Sequence, residues 1–274
     1  PMHSLEPLNL ADRFVINATS RVRDDATGDT NALARSSQVD VMLCPSDDAN
    51  AVAFVGSASG AGPETWARGN YGLNAVHFWP NQFWPNFKQA TVDNASMADF
   101  GFQIGISGFD NGSDSQALSM KQITDGTSKT LMIAEMRAGV DETDRRGVWA
   151  MAMCGSSFHC RHIDAPPNDC TPSHDDVYEG PDLVTKISEV GLNQQCMGVD
   201  RSVDASGQST VRSQHPGGVI GALADASVRY FSDSIETGAF TLAGEIQAEQ
   251  TNEDDFLTWQ RLNVSRDSFT VSEY

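Results

Sequence analysis

The chain has 274 residues, with 18 Lys and Arg against 37 Asp and Glu and a formal net charge of −19. That length is ample for a real core, and a hydrophobic share of 39% with five Trp and 13 Phe excludes general disorder. The acidity excludes nucleic acid, because a polyanion needs a basic face that scattered cations do not supply, and it disfavours anionic membrane surfaces for the same reason.

In chain order, Leu5, Leu8, Phe14 and Ile16 fall roughly on one side of a short helix, and a charged, turn-rich stretch follows over 21–30. Val39-Asp40-Val41-Met42-Leu43 predicts a buried strand, stopped by the turn Cys44-Pro45-Ser46-Asp47. Residues 56–63 read as a loop, and Asn70 to Ala75 opens a second structured stretch. The aromatic pairs around Trp79 and Trp84, each followed by Pro, predict an irregular lid that is buried or held at a subunit contact. The functional alternative is an exposed platform on which Trp79 and Trp84 take a glycan.

Met120 to Ser128 predicts a strand or short helix ending in the Asp125-Gly126 turn. Thr130 to Glu135 predicts a core strand, and Val148 to Ala152 another. Two apolar runs flanking Asp225-Ala226 predict a β-hairpin at 219–231. Gly is the usual second residue of such a turn, so Ala226 is uncomfortable there. The tail, 239–274, reads as a C-terminal extension holding a helix and a terminal strand.

Four of the five cysteines, Cys154, Cys160, Cys170 and Cys196, fall in a stretch rich in Pro, Asn, Asp and His. A loop-rich insertion at 154–196 with little apolar periodicity gains from cross-links, so these four are expected to form disulfides. Four cysteines allow three pairings, and spacing does not choose among them. Cys44 is left free or pairs outside this sequence. The opposing reading is buried thiols in a cytosolic protein.

Usual phosphate loops, His-Glu-x-x-His and Gly-x-Ser-x-Gly are absent from the sequence. Cys154, His159, Cys160, His162, Cys170 and His174 are zinc-type donors, but their spacing matches no finger or ribbon, and bridged cysteines do not ligate. Asp110, Asn111 and Asp114 resemble the start of a calcium loop without the distal Glu; Asp175, Asp176 and Glu179 make a second acidic candidate. The bland reading of each is a solvated acidic turn. Ahead of the hairpin stands His215-Pro216-Gly217-Gly218. His215 is a possible catalytic base, but with no nucleophile near it in sequence the reading is structural, with Glu135 as partner to His215 or to an Arg. No apolar run approaches the roughly 20 residues of a membrane span. The chain opens Pro1-Met2-His3-Ser4 with no basic or apolar leader, so the protein is expected either to be cytosolic or to have lost a targeting segment.

Taken together, Val41 to Asp47, Asn70-Tyr71-Gly72, Ile123 to Thr130 with Glu135, Gly147 to Met151, and Ser213 to Gly218 leading to Ala224-Asp225 resemble the planctomycete pseudopilin-like proteins of unknown function. That family is marked by a His, nine residues, then Asp-Gly. His215 and Asp225 keep the spacing, and Ala226 departs from the Gly. The resemblance spans about residues 5–236. It implies an α+β, pilin-like globular head with an antiparallel β-sheet, a single domain over 1–274, whose apolar N-terminal helix lies outside this sequence. Structural-motif residues are then His215, Gly217, Gly218, Asp225, Glu135, Asp125 and Gly126, with no catalytic residues to carry over. The expected protein is no enzyme but an extracellular or cell-surface assembly subunit, a homo-oligomer or filament with other pilin-like subunits. It needs no cofactor, calcium aside, and touches a membrane only through that helix. The rivals are a secreted glycan- or solute-binding module and an enzyme centred on His215 and Glu135; an enzyme would show His215 in an open cleft facing a nucleophile or metal.

Overall fold

The computed structural model describes residues 10, 12–16, 22, 31–56, 64–75, 105–110, 114–160, 165–175, 177, 180–200, 209–238, 257–265, 269 and 271. The fold is α+β. Its strands in chain order are β1 (Phe54–Gly56), β2 (Glu64–Trp66), β3 (Tyr71–Asn74), β4 (Ser107–Asp110), β5 (Asp114–Ala117), β6 (Leu131–Glu135), β7 (Phe158–His159), β8 (Gly218–Leu223) and β9 (Val228–Ser232). The α-helices are α1 (Ala32–Arg35), α2 (Gly180–Ile187), α3 (Glu189–Gln194) and α4 (Thr258–Asn263).

The principal sheet runs β7-β3-β6-β8-β9, while β1·β2 and β4·β5 form separate pairs. All its neighbours are antiparallel except β7, which lies parallel to β3 through Leu73↔Phe158 and Asn74↔His159. The expected sheet is therefore mixed at one edge. β7 is only two residues long, and the Cys154–Cys160 disulfide draws that segment back against β3.

Period-two alternation assigns the faces of β8: Val219, Gly221 and Leu223 are buried, and Ile220 is part-exposed. The buried face meets Leu131 and Ala134 of β6, Phe231 of β9, and Trp259 and Leu262 of α4 in one core cluster. Each fully buried Leu, Val or Phe there contributes about 1.5–3 kcal/mol relative to exposure. The C-terminal segment is thus part of the central core, with the Phe231 and Trp259 rings 5.8 Å apart. Asn74 ties it down, donating from Nδ2 to the carbonyls of Leu131 (2.8 Å) and Asn263 (3.0 Å).

Two expected strands are not strands. Val39–Leu43 contains a 3-10 turn, Asp40–Met42, and Val41 is 72% exposed. A five-residue apolar run does not by itself distinguish strand from turn. Here the run is fastened at its end, where the Met42 carbonyl accepts from Asn70 N (2.7 Å). Val148 to Ala152 is a turn that touches β structure only at the Arg68↔Val148 bridge. Gly147, at φ +77, reverses the chain just before it. The stretch 120–128 resolves into two 3-10 turns, Met120–Gln122 and Thr127–Lys129, on either side of Gly126 at φ +102.

The Cys-rich insertion is less loop-like than its composition suggests. It holds α2 and α3, which enclose a small core of Val177, Leu183, Leu192 and Val199. Leu183 and Ile187 share a helix face at i, i+4, and Pro181 sits in the first turn of α2, where its missing N–H costs nothing. Disulfides Cys154–Cys160 and Cys170–Cys196 are present, as expected of these four, and Cys44 is free and buried.

The β8–β9 hairpin forms, with a three-residue loop in place of the expected two-residue one. Ala226 N donates to Leu223 O and Leu223 N to Ser227 O (both 2.9 Å), so a type I turn is followed by a left-handed residue, Ala226 at φ +68. Replacing Ala226 with Gly removes that strain and is expected to raise stability by about 0.5–1 kcal/mol. Gly217→Ala, at φ +83, should cost about 1–2 kcal/mol. Gly218→Ala should cost more, because its Cβ would lie 2.2 Å from the Phe231 carbonyl oxygen. Thermal melts of the three variants check the order.

Candidate functional site

The nine residues between His215 and Asp225 hold the whole of one six-residue strand. β8 occupies 218–223, so His215 precedes its first residue and Asp225 follows its last. At the Asp225 end, the carboxylate accepts from Ser227 N (2.9 Å) and Ser227 Oγ (2.6 Å). These bonds hold the carboxyl below its usual range. Asp225 N donates to Thr127 O (3.0 Å) and Ala224 N to Thr130 O (2.8 Å), which seats the hairpin tip on the Asp125-Gly126 turn. Gly126 is needed there for its positive φ, since a Cβ would meet nothing within 4 Å.

At the other end, Ser213 Oγ donates to Gly218 O (2.7 Å) and accepts from His215 N (3.0 Å), while Tyr230 Oη donates to Pro216 O (2.8 Å). The turn so fixed aims the His215 ring at Glu135, the last residue of β6. Nε2 lies 3.0 Å from Glu135 Oε1, and Glu135 Oε2 accepts from Ile220 N (2.7 Å). The Glu135 side chain is 3% exposed and that of His215 is 30% exposed. Of the two partners the sequence offers Glu135, His215 or an Arg, it is His215 that its side chain meets. Asp125, Gly126 and Asp225 belong to the opposite end of the strand and share no site with them.

Cys44 was missed as a member of this site. Its Sγ lies 3.7 Å from His215 Nε2, although 171 residues separate the two in sequence. Asn70 Oδ1 accepts from Cys44 N (2.9 Å), and Asn70 Nδ2 donates to Asp47 Oδ2 (2.7 Å) and Met136 O (3.1 Å), which locks the Cys44-Pro45 turn beside β3 and the end of β6. Cys44-Pro45-Ser46-Asp47 and Asn70-Tyr71-Gly72 both stand among the strings that carry the resemblance, but nothing in the sequence ties either to His215. The thiol, imidazole and carboxylate donor atoms all lie within 4.8 Å of one another. Burial pushes the Tyr71 phenol up, and the neighbouring Glu135 and Cys44 charges push it further.

A family model described as a protein of unknown function, DUF1559, matches residues 4–238. The chain belongs to that family. No curated protein and no solved structure matches it.

In this DUF1559 member, His215 borders a cavity of about 540 Å³ whose wall also carries Arg137, Arg212, Gln214 and the Cys170–Cys196 disulfide. Behind the wall lies a buried ion cluster that sequence reasoning did not find. Arg146 Nη2 meets Asp144 Oδ2 at 2.7 Å, Arg146 Nη1 meets Asp175 Oδ2 at 3.1 Å, and Arg212 Nε meets the same oxygen at 3.2 Å. Burial alone would push both carboxyls up. For Asp144 the Arg146 charge and hydrogen bonds, with Arg68 behind them, outweigh it; for Asp175 the Arg212 and Arg146 charges do. Both therefore sit below the ordinary 3.8. Arg68, shielded from water, is lowered to about 10.

The remaining sequence candidates sort as follows. Asp175 is neutralised by two arginines, so the acidic group built on it is an internal ion cluster; Asp176 and Glu179 lie outside the described residues. Cys154, Cys160, Cys170 and Cys196 are bridged and offer no thiolate, and His174 Nδ1 pairs with Asp169 Oδ2 (2.7 Å). Asp110 and Asp114 face each other as the last pair of the β4–β5 hairpin, with Asn111 outside the described residues. Trp79 and Trp84 also lie outside them.

Carboxyls held below their unfolded value stabilise the fold above that value and lose the contribution as pH falls through the folded one. Stability should therefore drop as pH falls below about 4, measured by denaturant unfolding at a series of pH values. Asp175→Asn, which leaves two buried guanidiniums short of a counter-charge, is expected to cost about 3–5 kcal/mol at neutral pH and to flatten that acid limb.

Proposed function

We propose that the chain is the globular head of a pilin-like, extracellular or cell-surface assembly subunit. The observation that carries this reading is the free flank of the principal sheet. β9 is its last strand, and Val228 (66% exposed) and Tyr230 (53%) stand on the same face as Ile220 of β8. Among the described residues no strand pairs with the outer edge of β9. An open edge flanked by large apolar side chains is a template for joining another chain.

Two further observations support it. The cysteines of the insertion are oxidised in pairs, as suits an oxidising compartment. The motif residues, apart from the His215 pocket, serve as turns and strand ends. Among the described residues no helix is long and apolar enough to cross a membrane. In this reading membrane attachment belongs to an apolar helix of the kind the family resemblance implies. Lateral contacts then fall to the β8–β9 face and join like subunits.

In producing cells the protein should be recovered from surface-sheared material in high-molecular-weight form. Val228→Lys with Tyr230→Lys should shift it toward monomer in sedimentation without altering its circular dichroism. Recovery of the unmodified protein solely as a dispersed monomer would sink the assembly reading.

A further inference from the structure

We infer that Cys44, Glu135 and His215 form a binding site for one divalent, zinc-class cation. The site lies at the end of β6 and opens on the cavity that His215 borders.

The first ground is convergence. Glu135 Oε1 and Cys44 Sγ both approach the same ring nitrogen, His215 Nε2, at 3.0 and 3.7 Å. A nucleophile–base–carboxylate relay needs the thiol on one ring nitrogen and the carboxylate on the other, so that a proton can pass through the ring. Three donors aimed at one point are instead the arrangement of ligands around an ion.

The second ground is metric. Zinc bonds of about 2.3 Å to sulfur, 2.0–2.1 Å to nitrogen and 2.0–2.2 Å to oxygen, at tetrahedral angles, put S···N near 3.6 Å and N···O near 3.4 Å. The observed 3.7 and 3.0 Å differ from these by a few tenths of an ångström, within a side-chain adjustment. The third separation, S···O, is under 4.8 Å.

Charge and support agree. A thiolate and a carboxylate neutralise a dication, and a thiolate–imidazole–carboxylate set is zinc chemistry rather than the all-oxygen chemistry of calcium. Binding breaks the Cys44 S–H bond, releases that proton to solvent and forms the S–metal bond, with no change of oxidation state. Outer partners already hold two ligands: Ile220 N–H on Glu135 Oε2 leaves Oε1 to the ion, and Asn70 fixes the Cys44 backbone. The His215 side chain, 30% exposed, marks the way in, and a fourth position falls to water on the cavity side.

Cys44 is the chain's one free thiol, so a thiolate signature can come from no other residue. The chelator-treated, disulfide-intact protein is titrated with Co²⁺ and then Zn²⁺. One Co²⁺ per chain should bind with a near-ultraviolet thiolate-to-cobalt band, which Zn²⁺ abolishes by displacement. Cys44→Ser should lose the band, and His215→Gln should bind at least tenfold more weakly. Absence of the band in the unmodified protein, or its survival in Cys44→Ser, overturns the site. Should Cys44→Ser fail to fold, alkylation of Cys44 in the unmodified protein replaces it. Zn²⁺ should slow that reaction at least tenfold, and an unchanged rate overturns the site equally. None of these readouts depends on self-association, so this site and the assembly reading stand or fall separately.

Discussion

Asp175 is the constraint on which the placement of the His215 pocket depends. One of its oxygens takes Arg146 and Arg212, and the other takes the backbone N–H and hydroxyl of Thr210, at 3.1 and 3.3 Å. The carboxylate belongs to the Cys-rich insertion. Arg212 belongs to the segment entering the His215 turn, and its backbone N–H donates to Glu135 O (3.0 Å). A single buried anion thus ties the insertion to the end of β6, where Glu135 waits for His215. Buried ions of this kind stabilise little relative to an apolar replacement but are costly to break singly. Their effect is to fix register: the guanidiniums accept few geometries, and the chain on either side must follow.

This constraint explains why the insertion keeps its place with so small a core. Val177, Leu183, Leu192 and Val199 bury a modest area among them, and the two disulfides close short and medium loops. Cross-links restrict the unfolded chain but do not by themselves say where a folded segment sits. The position comes from polar pairing, Asp144 and Asp175 on one side and Arg146 and Arg212 on the other.

Much of the sheet was legible in the sequence because it rests on local signals. Leu131 to Glu135 is a β-rich run closed by turn residues, and the strands around Asp225 carry hairpin chemistry. Ala226 announced an irregular turn, and it does occupy the left-handed position of a three-residue loop. The failures have one cause. Val39 to Leu43 and Val148 to Ala152 have the composition of strands, but each is held by a group distant in sequence, Asn70 on the first and Arg68 on the second, with Gly147 turning the chain just before the second. The ion cluster was invisible for the same reason, since charged residues at 144, 146, 175 and 212 have no periodicity in common. Asp175 reads from sequence as a calcium-type candidate or a solvated acidic turn, because sequence does not reveal burial.

The site shows the same division. Glu135 could be named as a partner of His215 or of an Arg because it closes a recognisable strand, and the β6–β8 pairing decides for His215. Cys44 could not, because its approach to His215 depends on Asn70 gathering Asp47, Met136 O and Cys44 N at one side chain. The structural reading of His215 rested on the lack of a reactive neighbour in sequence, and the fold supplies one. A thiol is a small, soft side chain that an apolar residue could replace were filling space its only task. Beside a buried carboxylate and an imidazole, an apolar side chain would leave Nε2 with one polar neighbour where it now has two. In a chain whose other four cysteines are spent on cross-links, a fifth kept reduced and turned toward such a pair is better explained by what its sulfur contacts than by the volume it fills.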